Sequence, residues 1–174
     1  DERSAAVDGG NRLYWRANPR RLSAEQLRDA ALAAAGVLDA KVGGPSEKLT
    51  PLGTRRTLYA QISRYKLDDY LALFDFPSPN ASAERRFTTQ VPLQRLFLMN
   101  SDFFQQQAES LARRVAAEPD DAARVRKLYS LLFAREPTSP EISVARAYLT
   151  GEALKSYAER KAAKEAEEKE AKEK

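Results

Sequence analysis

Carboxylates, lysines, tyrosines and arginines are the side chains here that could do chemistry, because the 174 residues include neither histidine nor cysteine. That composition excludes thiolate nucleophiles, disulfides, zinc sites built on nitrogen and sulfur, and haem attachment through cysteine. Catalysis that hands a serine or cysteine proton to imidazole is excluded too. Mg²⁺ or Ca²⁺ are the metals that such a residue set accommodates, but no metal site and no catalytic residue can be assigned. Without histidine, no side chain has an unperturbed pKa near neutrality, which weighs against an enzyme.

Paired arginines are the most visible pattern: Arg20-Arg21, Arg55-Arg56, Arg85-Arg86 and Arg113-Arg114. A guanidinium offers a planar fork of donors suited to carboxylate, sulfate or phosphate. Arg20, Arg21, Arg55, Arg56, Arg85 and Arg86 are therefore candidates for an anion-binding surface. The competing reading is that they brace loops against the chain's own acids, since 25 Asp and Glu nearly balance 29 Lys and Arg. Arg113 and Arg114 fall on a helix, where neighbours diverge by about 100°, so they cannot easily share a ligand.

Glu25 and Asp29 stand four residues apart with Arg28 between them. Two carboxylates on one helix face could hold a cation or work as an acid–base pair, or form a salt-linked exposed face. Asp75 is a further candidate carboxylate; gathered with Glu25 in a deep pocket, it would support an active site. Tyr14 and Trp15, next to Arg12 and Arg16, could stack on a sugar or base, or seal one end of the core. Gly43-Gly44-Pro45-Ser46 lacks the spacing of a phosphate cradle and reads as a turn.

The elements that position these groups are mainly helical. An apolar fraction of 43% with 31% charged residues suits one domain with a real core plus a charged segment. Residues 1–18 read as a loop. Ser23 with Gln26 forms a capping-box signal, followed by a stripe of Leu27, Ala30, Ala31, Ala34 and Leu38, with Gly36 closing the helix. Residues 39–56 read as a loop, and the alternation about Leu58, Ala60 and Ile62 predicts a short strand. A short helix over Asp69–Phe74 ends before two prolines. From Pro92 the pattern is strongly helical: Leu93, Leu96 and Phe97, then Phe104, Ala108, Leu111 and Val115, then Val125, Leu128, Tyr129 and Leu132. A last helix restarts with Ser139 as cap and Pro140 at its first position, carrying Ile142, Ala145 and Leu149.

The expected architecture is an irregular, loop-rich N-terminal half followed by an antiparallel helical bundle, together one helical domain over residues 1–150. Residues 151–174 read as a charged, solvated helix or linker with favourable pairs such as Glu165 with Lys169. No stretch suits a membrane span, and the balanced charge of +4 argues against nucleic acid.

Several segments together resemble a known family. They are Asn11 to Arg16, Arg20-Arg21-Leu22-Ser23-Ala24-Glu25-Gln26-Leu27-Arg28-Asp29-Ala30, Gly43-Gly44-Pro45, Phe74-Asp75-Phe76-Pro77, and Arg85-Arg86-Phe87-Thr88-Thr89 running through Val91-Pro92-Leu93-Gln94 to Asn100-Ser101. Their order and spacing resemble the C-terminal domain of unknown function of the large planctomycete-type cytochrome c proteins, over about residues 11–150. The resemblance implies an exported multidomain bacterial parent, periplasmic or at the cell surface, with haem in another module and an association with polysaccharide processing. Partners would then be other domains of the same parent, or an acidic or sulfated polysaccharide. It implies no catalytic residues. The preceding helical portion and the closing aromatic segment usual in the family are not in this sequence, which reads as an excerpt of a larger domain. Any enzyme site would be completed by those segments. Arg95 stands where a small residue is typical.

Overall fold

The computed structural model describes residues 1–18, 20–151, 159 and 161. Among them are seven α-helices and no named strand: α1 (Glu2–Val7), α2 (Ala24–Ala35), α3 (Asp69–Leu73), α4 (Pro92–Asn100), α5 (Asp102–Val115), α6 (Asp121–Phe133) and α7 (Ser139–Thr150). The protein is mainly α, with a loop-rich N-terminal half. It forms two compact units, Asp1–Ala108 and Glu109–Lys174.

The core of the first unit is built on Ala24 of α2 and Tyr70, Leu71 and Phe74 of the α3 segment. Leu27, Leu49, Phe97 and Phe104 pack against it. Leu71 is fully buried, and the Tyr70 and Phe74 rings lie 4.9 Å apart, with Phe97 5.9 Å from Phe74. Aromatic pairs at these separations add to their area burial.

Local chemistry sets the helix ends. Ser23 accepts from the Gln26 backbone N–H, and the Gln26 side chain accepts from the Ser23 N–H, a complete capping box. Gly36 closes α2 at φ 78°, a left-handed geometry that glycine takes at little cost. Pro92 opens α4, where the Gln94 side chain takes the Val91 N–H. In the second unit α6 and α7 pack on one another, with Val115 and Val125 buried.

Four sequence expectations need correction. Residues 1–18 are not all loop: Glu2–Val7 are helical, with the Asp1 carboxylate capping the Arg3 N–H. The strand expected about 58–62 is a 3₁₀ turn, Thr57–Tyr59, flanked by isolated parallel bridges Asp39 with Arg55 and Glu47 with Ala60. Alternation alone could not extend it, because no partner strand runs beside it among the described residues. The cap of α7 is Thr138 rather than Ser139: the Glu141 side chain accepts from the Thr138 N–H and hydroxyl. Finally, the buried face of α2 is Ala24, Arg28, Leu32 and Ala35, a stripe rotated from the alanine-rich one expected. The expected charged helix or linker over 151–174, with its Glu165–Lys169 pair, lies outside the described residues save Gly151, Glu159 and Lys161, whose ammonium meets Glu109 at 3.5 Å.

Candidate functional site

Because Arg28 lies on the buried face of α2, its guanidinium ends inside the first unit, 4% exposed. It donates to the Gly53 carbonyl at 2.6 Å and to the Arg55 carbonyl at 3.1 Å, and it lies over the Phe103 ring at 4.6 Å. Burial lowers its pKa, while Asp29, Tyr70 and Asp68 work the other way. Gly53 approaches closely: a Cβ there would sit 3.1 Å from an Arg28 nitrogen.

The 39–60 loop is therefore tied to α2 by α2's own side chains. Asp29 accepts from the Thr57 N–H at 2.7 Å and its hydroxyl at 2.6 Å, and meets Arg56 at 3.7 Å. Arg55 is turned into its own loop. It donates to the carbonyls of Gly43 (2.6 Å) and Pro45 (3.0 Å) and to the Glu47 carboxylate (2.8 Å), stacked on Tyr59 at 4.2 Å.

A second group of ties holds the 75–91 segment. One Arg86 nitrogen donates to both Glu25 carboxylate oxygens, at 2.8 and 2.9 Å, and the guanidinium lies over Phe76. Burial alone would raise the Glu25 carboxyl, but its own backbone N–H, Ser23 and Arg86 outweigh that and hold it below the usual range. Asp75, at φ 61°, accepts from the Thr89 N–H and hydroxyl, both at 2.8 Å. Arg21 donates to the Thr89 carbonyl and, at 2.6 Å, to Gln94, which is itself buried and donates to the Leu73 carbonyl at 2.9 Å.

Of the arginines that the sequence offers as anion ligands, Arg21, Arg55, Arg56 and Arg86 thus have protein acceptors; all six but Arg55 are exposed. Arg20, Arg21 and Arg86 border one cavity of about 600 Å³ that also holds Asp75. Arg56 and Arg86 border another of about 770 Å³, with Glu25 and Asp29. Arg55 lines neither. Glu25 and Asp75 lie in different cavities, each with a bracing partner. Tyr14 is 80% exposed at φ 56°, whereas Trp15 is half-buried and donates through Nε1 to the Asp8 carbonyl at 2.8 Å.

Sequence reasoning missed Arg28 as a buried hub. The signal was its four-residue spacing from Ala24 and Leu32, masked by alanines that give α2 no single obvious stripe. Asn11 was missed as well: it is 3% exposed and fastens the 11–18 loop through Arg16 and Asn18. No pattern in the sequence marks it.

A further cleft of about 340 Å³ lies where α3, the 49–51 loop and the corner between α4 and α5 meet. No group of three or more acidic residues able to hold a metal is found among the described residues, and no described helix is long and apolar enough to cross a membrane. Comparison with known proteins gives one result: residues 1–149 match the family model described as PSD1, protein of unknown function (DUF1553). That is the domain that the sequence resemblance pointed to. No curated protein and no solved structure matches the chain.

Proposed function

This chain belongs to the DUF1553 family, and from that premise we propose that it is a non-catalytic structural and interaction module of a larger exported bacterial protein. In this reading haem sits in another module of that protein, whose role lies in redox or polysaccharide processing. The observation that carries the reading is the outer face of α4. Leu93, Leu96 and Met99 follow one another at three-residue spacing and are 60%, 53% and 72% exposed. Exposed apolar side chains repeated along one helix suit a docking face. The arginines fit the same reading, since Arg21, Arg55 and Arg86 spend donors on the chain's own carbonyls and carboxylates. Sulfated-glycan binding is the weaker reading for that reason, although Arg20 and Arg85 are each exposed, in different cavities.

One titration separates the two. The chain is mixed with the remaining portion of its parent and, separately, with a sulfated dextran across a salt series. The expected result is association with the parent portion, lost in the Leu93→Ser, Leu96→Ser, Met99→Ser triple variant. Salt-sensitive binding to the dextran that disappears in Arg20→Ala with Arg85→Ala, and no association with the parent portion, would overturn it.

A further inference from the structure

We propose that the cleft at the α4–α5 corner binds an organic cation, an ammonium or guanidinium group carried on an apolar stem. Its volume of about 340 Å³ lies within the range of small-ligand sites, roughly 300–1,000 Å³. Its walls are the rings of Tyr70, Phe97, Phe103 and Phe104. Tyr70 and Phe103 are each 8% exposed, and the Tyr70 hydroxyl is turned away to donate to the Ala24 carbonyl at 2.6 Å. The Tyr70, Phe97 and Phe104 rings therefore present carbon surface to whatever enters, while the Phe103 face is covered by Arg28.

The polar groups decide the charge of the ligand. Asp68, Asp69 and Asp102 line the same cleft. Asp68 uses one oxygen on the Tyr70 N–H at 3.0 Å. Asp69 and Asp102 are exposed and take part in none of the ion pairs among the described residues. The cation lining the cleft, Arg28, is directed into the Gly53 and Arg55 carbonyls and covers the Phe103 face. An anion would meet three carboxylates against one guanidinium whose N–H groups are already turned to the Gly53 and Arg55 carbonyls, and a neutral ligand would gain only from the rings. A cation gains twice: its stem covers the rings, and its head meets Asp69 and Asp102 with the cation–π attraction of an aromatic wall. The same chemistry is offered by a free amine and by a lysine or arginine side chain of a peptide.

Calorimetric titration of the whole chain at low salt tests this. The probes are n-butylamine, butylguanidine, 1-butanol, butyrate and a capped Gly-Lys-Gly peptide. The two cations are expected to bind and the alcohol and carboxylate to fail. Binding of the peptide as well would identify a side chain as an occupant, and its failure would identify a free amine. Asp69→Asn with Asp102→Asn should weaken the cations about tenfold or more, the weight of lost charge-assisted hydrogen bonds. The control Glu118→Gln with Glu136→Gln, which makes the same change in net charge, should leave binding intact. Asp102→Asn alone is the fallback should the double variant lose its circular-dichroism signature. Cation binding no stronger than that of 1-butanol, or binding unchanged by the aspartate variants, would overturn the proposal.

Discussion

A buried guanidinium is costly unless its N–H groups find acceptors, and Arg28 meets that cost with backbone rather than with a single carboxylate. The Gly53 and Arg55 carbonyls belong to a loop with no regular hydrogen-bonded structure, so Arg28 satisfies in one place what a strand would satisfy along its length. Removing it leaves those carbonyls unpaired and opens space under Phe103. Arg28→Met should therefore destabilise the chain by about 2–4 kcal/mol, read by denaturant melts. Arg28→Lys should recover only part of the loss, since one ammonium cannot reproduce the planar fork. An unchanged midpoint in Arg28→Met would refute the bracing role. Tyr70 shows the same logic in a neutral group: burial pushes its phenol well above 10.0, so it keeps its proton and donates it to the Ala24 carbonyl.

Among the elements, those with strong end signals were legible from sequence and those fixed by tertiary contacts were not. Ser23 with Gln26, Gly36 and Pro92 act within a turn or two of chain, and α2 and α4 begin or end where they predict. The face of α2 was illegible because its burial depends on carbonyls more than twenty residues away. The Thr57–Tyr59 turn was misread for a similar reason: its alternation had no strand to pair with. Among the candidate site residues, types were legible but assignments were not, since whether an arginine is free depends on loops such as 43–47. The α7 end offers a pH test. Glu141 accepts from Arg135 at 2.7 Å and from the Thr138 N–H at 2.8 Å, which hold its carboxyl at about 2 against an ordinary 4.5. With the folded value depressed, the stabilisation is complete above 4.5 and fades as pH falls toward 2. Thermal melts should thus lose stability across that window in the wild type, and Glu141→Gln should show a flatter profile. Identical pH profiles would contradict this.

At the scale of the molecule, the described residues bury Asn11, Arg28, Thr57 and Gln94 and leave large apolar side chains outside. In the first unit these include Leu93, Leu96 and Met99 of α4, and in the second Leu132, Phe133, Val144 and Tyr148 of α6 and α7. Single exposed apolar residues are ordinary; a helix face of them at regular spacing is a surface that burial would stabilise, at about 25 cal/mol per Å² removed from water. Met99, the sole methionine of the chain and 72% exposed, is a built-in reporter of that burial, because its thioether oxidises readily where solvent reaches it. The deciding measurement is the rate of Met99 sulfoxide formation in the isolated chain and in the intact parent protein under the same dose of oxidant. A docking face predicts oxidation slowed several-fold in the parent and restored when the chain is cleaved free. Equal rates in both would contradict the interaction-module account.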